Sequence, residues 1–229
     1  MFEIGKTASI EVLRAVPMGL ILGSDEQEVL LPTRYVPEGA SPGDFIEVFI
    51  HTDSEDRPVA TTEQPFARAD EFACLRVVSV GPVGAFLDWG LPKDLLLPFR
   101  SQRERVRPEQ RVVVRVYCDP VSGRPVATAK VERFLETPPD DLREGQAVQL
   151  LIYEETELGS KAIVDGRFGG LLYPEPGVDA LETGSSPTAY VQRIRADGKV
   201  DLRSTPTGKA AVDDARETLW GALPVSYTH

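Results

Sequence analysis

Cysteine is scarce in this chain: only Cys74 and Cys118 occur, and neither sits in a CxxC pair or beside a histidine. That leaves no disulfide framework and no zinc spacing, and two small core thiols in a reducing cytoplasm are expected. Histidine is equally rare, with His51 and His229 alone, so few neutral bases are available for acid–base chemistry. No stretch of about 18 apolar residues occurs, and the opening MFEIGKTASI lacks a basic start before an apolar run; no membrane span and no signal peptide are expected. Positive charge is also short. The 25 Lys and Arg stand against 36 Asp and Glu, a net charge of −11, which argues against coating nucleic acid through bulk charge, because phosphate is neutralised by Lys and Arg.

Catalytic signatures are missing too. There is no P-loop, nucleophile elbow or dinucleotide fingerprint, and neither a cofactor nor an enzymatic activity is expected. Asp53, Glu55 and Asp56 could in principle hold magnesium. They sit in a turn between two expected strands, where Asp and Ser serve local hydrogen bonding, so no catalytic or metal role is assigned to them.

What the chain does have is an internal repeat. The composition is that of a globular protein, with 41% hydrophobic and 27% charged residues, and 19 Gly and 19 Pro suit many short strands. Arg57-Pro58-Val59-Ala60-Thr61 recurs unchanged as Arg124-Pro125-Val126-Ala127-Thr128. Upstream of each copy lies an apolar run, 45–50 and 112–117. Further upstream, hairpin-like pairs start at Gly19 and Gly84, and a third starts at Gly159. The third unit closes on Asp197-Gly198 between apolar segments, a strong hairpin signal. Each unit opens with a long strand, at 8–16, 73–80 and 147–153.

About five short strands in a unit this small favour a closed barrel, since closure removes sheet edges and creates a core. The fold class expected is therefore all-β: three tandem five-stranded OB barrels over residues 1–65, 69–137 and 142–205. Proline-bearing polar linkers separate them, and residues 206–229 form a short tail in which Asp213 to Ala222 could make a helix, a frayed tail being the alternative.

The second unit carries a specific match. Gly84-Ala85-Phe86-Leu87-Asp88-Trp89-Gly90, running into Asp94-Leu95-Leu96-Leu97-Pro98, resembles the strand pair of the RNA-binding OB domain repeated in ribosomal protein S-one. More widely, residues 1 to about 205 resemble the conserved virulence factor B family of bacterial proteins with tandem S-one-like domains; Asp53-Ser54-Glu55-Asp56-Arg57 and Ile194-Arg195-Ala196-Asp197-Gly198-Lys199 support this. The resemblance implies RNA binding and post-transcriptional regulation of gene expression, with no catalytic residues. It also implies a C-terminal winged helix, which Pro206 to His229 are too few to form.

Charge by segment points to the middle unit. Residues 1–68 carry 5 basic and 12 acidic groups, 69–137 carry 11 and 9, and 138–205 carry 7 and 12. The expected phosphate contacts are thus Arg76, Arg100, Arg111 and Arg115, with Arg103, Arg105 and Arg107 equally readable as a solvated loop. Period-two alternation puts Val112, Val114 and Val116 in the core and Arg111, Val113, Arg115 and Tyr117 outside. Phe86 alternates outward in the same way, so Phe86 and Tyr117 are the expected stacking rings, burial in the core being the alternative for either. Trp89 is expected to pack. The third unit offers a weaker set in Tyr173, Arg193 and Arg195. The first offers only Arg14, Arg34 and Tyr35 on an acidic background. The partner expected is single-stranded RNA, with the ribosome or the transcription machinery behind it and no membrane. A protein-interaction adaptor, its acidic barrels facing a basic partner, is the rival reading.

Overall fold

The computed structural model describes residues 2–24, 26–176 and 181–206. The expected tail, with the helix at 213–222, lies outside them. The first barrel contains β1 (Thr7–Val16), β2 (Gly19–Ser24), β3 (Gln27–Pro32), β4 (Phe45–Thr52) and β5 (Pro58–Thr61). The second contains β6 (Phe72–Val80), β7 (Gly84–Asp88), β8 (Leu95–Pro98), β9 (Arg111–Cys118) and β10 (Pro125–Thr128). The third contains β11 (Ala147–Thr156), β12 (Gly159–Val164), β13 (Phe168–Leu172), β14 (Thr188–Ile194) and β15 (Val200–Arg203). In each, the first strand pairs with the second and fourth, and a parallel pair, third against fifth, closes the ring. The all-β expectation of three five-stranded barrels holds.

The repeat is legible at matching positions. The long first strand of each barrel shifts register once, between Val12 and Arg14, Val77 and Ser79, and Ile152 and Glu154. Such a bulge bends the strand and lets it serve two neighbours around the ring. Gly19, Gly84 and Gly159 open the second strands, and a Cβ there would lie 2.0, 2.3 and 2.3 Å from the carbonyl oxygens of Leu31, Leu97 and Leu172. Only glycine allows that approach. The repeated Pro-Val-Ala-Thr segments are β5 and β10, whose Ala60 and Ala127 are fully buried, small residues where a narrow barrel is tightest.

The described residues up to 131 form one compact unit holding the first two barrels, and those from 132 to 206 form a second. Within the first unit the two barrels share apolar packing. The outward residues of β4 run from exposed Phe45 to fully buried Phe49 and nearly buried His51. Phe49 belongs to the apolar cluster of the second barrel, with Leu75, Leu87 and Trp89, and meets Trp89 edge-on at 5.7 Å. The Trp89 indole N–H donates to the Lys93 carbonyl at 2.7 Å, so Trp89 is the packing residue its sequence position suggested.

Candidate nucleic-acid interface

Strand register places side chains in lateral rows, because directly paired residues face the same side of a sheet. In the second barrel Phe86 pairs with Leu96, Leu96 with Val126 and Val126 with Tyr117. Their chain neighbours Ala85, Leu87, Leu95, Leu97, Val116 and Ala127 fill the core, so the four point outward. Phe86 and Tyr117, distant in sequence, thus end one apolar row across β7, β8, β10 and β9. With strands about 4.8 Å apart, the two rings lie about 14 Å apart along the surface. Leu96 and Val126 were not singled out from the sequence; the signal was present in their alternation with buried neighbours. Val114 and Val116 are buried as expected and Val112 packs against them. Val113, expected outside, is buried as well.

The arginines divide into two groups. Arg100 and Arg111 are exposed and can meet phosphate, although Arg100 also lies in the field of Asp119. Arg76 is already held by Asp88 at 3.2 Å and Glu109 at 2.9 Å. Arg115 departs furthest from its expected place on an open surface. Its side chain is only 18% exposed, binds Asp70 at 2.9 Å and lies 5.9 Å from the Phe72 ring. Asp70 also binds Lys6 of the first barrel at 2.6 Å, and this hydrogen bond, with the charges of Lys6 and Arg115, holds its carboxyl below the usual carboxylate range. Arg115 therefore belongs to the seam between two barrels, a placement that needs the fold to bring Asp70 beside it. In the loop before β9, Arg105 stacks over Phe99 at 3.8 Å and the Arg103 Nε–H donates to the Ala129 carbonyl at 2.9 Å.

The same row exists in the other barrels with different chemistry. In the third it reads Lys161, Leu171, Asp201 and Arg193. Tyr173 donates to Asp201 at 3.3 Å, Arg195 reaches Asp197 at 3.4 Å, and Arg193 is exposed. Tyr173 and Arg193 line one open depression of about 720 Å³, with Arg203 and Gln192, whereas Arg195 lies on a separate groove. In the first barrel the row is Ile21, Leu30, Val59 and His51. His51 is covered at the seam, Tyr35 is buried, and Arg14 is bidentate to Glu28 at 2.6 and 2.7 Å. His51 is the one ring in this row, and it is buried.

The acidic turn of the first barrel holds itself together. The Asp53 carboxylate accepts from the Glu55 and Arg57 amides at 2.9 and 3.0 Å. Asp56 binds Lys93 at 3.2 Å and Arg124 at 2.6 Å. Among the described residues no cluster of three or more His, Cys, Asp or Glu could hold a metal ion, and no helix is long and apolar enough to cross a membrane.

Comparison with known families matches residues 4–63 to the S1 domain. The match spans the whole first barrel. The second and third repeat its strand order and outward row. The chain is similar to YitL, an uncharacterised protein of Bacillus subtilis (strain 168), with 25% identity over 239 residues, covering 97% of this chain and 79% of YitL. It is also similar to a crystallised multidomain protein with nucleic acid binding domains from Streptococcus pneumoniae TIGR4, at 18% identity and a TM-score of 0.50, covering 90% of this chain and 75% of that one. The resemblance to tandem S1-type proteins read in the sequence is borne out. The family match falls on the first barrel, whose row ends in the buried His51, whereas the row with two half-buried aromatic rings, Phe86 and Tyr117, is in the second, where Val126 is buried between them.

Proposed function

We propose that the chain is a non-enzymatic protein of three domains, residues 1–65, 69–137 and 142–205, that binds single-stranded RNA on the second barrel and acts in post-transcriptional regulation. The observation that carries this reading is the outward row Phe86, Leu96, Val126 and Tyr117 on the one segment with a positive charge balance. Unpaired bases stack on such rings whatever their sequence, and exposed Arg100 and Arg111 supply cations for the backbone. An S1 domain in the same chain and a structural neighbour described as having nucleic acid binding domains support it.

The test is fluorescence anisotropy with a labelled single-stranded RNA at low salt. Phe86→Ala and Tyr117→Ala should each weaken binding by about 1 kcal/mol or more while leaving the thermal transition in place. Tight binding by the double variant would remove the second barrel from the reading.

One observation favours an adaptor instead. Phe45 of the S1 domain is 68% exposed on a surface shared with Glu38, Asp44 and Glu47, which suits a basic protein partner with an apolar anchor. A chain that ignores single-stranded RNA at low salt but retains a basic protein through Phe45 would decide for the adaptor.

A further inference from the structure

The third barrel departs from the other two at one outward position. Register places Gly169 of β13 where the first barrel has Glu28 and the second has Asp94, each two residues before the row leucine. The missing side chain leaves a trough. Its floor is Gly169, Gly170 and Leu171; one wall is Tyr153 and Leu158 from the β11–β12 hairpin. Its far wall is the segment 132–136 that leads into this unit. That segment is fixed in place: the Glu136 amide donates to the Arg167 carbonyl at 2.9 Å, the Glu136 carboxylate accepts from Arg167 at 2.8 and 3.0 Å, and Leu135 lies over Gly169, 3.1 Å from where a Cβ would stand.

The resulting groove has a volume of about 450 Å³ and is lined mainly by carbon, with Lys161, Arg195 and Lys199 among its charged residues and Glu132, Glu136 and Asp201 opposing them. Those cations are paired with Glu154, Asp201 and Asp197. The Lys161, Arg195 and Lys199 side chains remain 40%, 41% and 72% exposed. Exposed pairs of this kind are worth at most about 1 kcal/mol, so a cation can turn from its carboxylate toward a phosphate, Lys199, the most exposed, most readily.

We infer that this groove is a second nucleotide subsite, which receives one unstacked base of a single strand between Tyr153 and Leu135 and holds the adjoining phosphate on Lys199 and Arg195. A flat ring with apolar faces and a single charged neighbour fits both the slot and its rim. The inference rests on the RNA-binding reading, yet it uses none of the residues of the second barrel's outward row. It assigns the segment 132–136 a direct part in binding beyond that of a linker.

The test follows the Leu135 and Leu171 methyl signals of the full chain by NMR while an RNA hexamer, and in a parallel arm a DNA hexamer, is added. In the wild-type chain and in Phe86→Ala/Tyr117→Ala, both signals should shift and saturate with one of the two. Gly169→Leu should abolish the shifts and weaken hexamer binding by the Phe86→Ala/Tyr117→Ala chain about fivefold or more. Gly169 has no left-handed backbone, and only the flexible tip of Leu135 must yield. If that variant fails to fold, Arg195→Ser/Lys199→Ser should weaken the same binding. A hexamer that binds but shifts only second-barrel signals would overturn the groove and leave the RNA reading standing. A wild-type chain that binds neither hexamer would overturn both. Shifts that instead follow protein concentration without nucleic acid would give the groove to a second copy of the chain and overturn the inference.

Discussion

His51 shows how a single residue can change meaning with its surroundings. By its place in the row it corresponds to Tyr117, yet it is 6% exposed, and neither ring nitrogen has a hydrogen-bond partner. Its ring stacks on Phe49 with centroids 6.4 Å apart. Burial lowers its pKa below the ordinary value and Lys93 adds to the effect, while the Thr52 backbone, Glu63 and Asp53 oppose it. A base held neutral in the folded chain binds fewer protons than the same base in the unfolded chain at acid pH. Stability from this site is therefore full above about pH 6.5, the unfolded value, and is lost as the pH falls toward the lower folded value. His51→Phe, which keeps the stack without the titration, should flatten the fall in melting temperature below about pH 6.5. An unchanged pH profile would show that the imidazole is solvated.

At the scale of elements, the β7–β8 loop carries the connection between the first two barrels. Trp89 sends its ring against Phe49, and the Lys93 ammonium donates to the Asp53 carbonyl at 2.6 Å, Asp56 at 3.2 Å and Thr52 Oγ1 at 3.4 Å. The ring dominates because it is nearly buried, whereas Lys93 is substantially exposed and worth about 1 kcal/mol. Trp89→Ala should cost about 3–5 kcal/mol by removing a large side chain from a packed site. Since Phe49 contributes to the core of the neighbouring barrel, the two barrels should unfold in one calorimetric transition in the wild-type chain and in two in the variant. Two transitions in the wild-type chain would mean the shared core does not couple them. The linker segments act alike on the barrels they lead into: the Phe66 amide donates to the Trp89 carbonyl at 2.8 Å, as the Glu136 amide does to that of Arg167.

Across the whole molecule, a net charge of −11 and a proposed nucleic-acid partner look opposed. They are reconciled if stacking supplies most of the affinity and only a few phosphates are neutralised. With about three such contacts, the slope of log affinity against log salt for a single strand should be near −2. Anisotropy titrations at several salt concentrations measure it directly. A slope as steep as about −5 or beyond would require seven or more cations, more than the open arginines of the second barrel can provide, and would shift the binding surface elsewhere.

Chain order alone determined the threefold barrel, because alternation, glycines at close approaches and the repeated Pro-Val-Ala-Thr segment are local properties that each unit must satisfy for itself. It also put Phe86 and Tyr117 on outer faces, since side-chain direction along a strand follows from period two. Only the tertiary structure decided which outer faces stay open. Phe49 and His51 alternate outward just as Glu47 does, yet they are buried because a second barrel packs on them, and Arg115 is drawn into an ion pair by Asp70, 45 residues away. Contact between units depends on surfaces far apart in sequence, so no periodicity within one strand can report it.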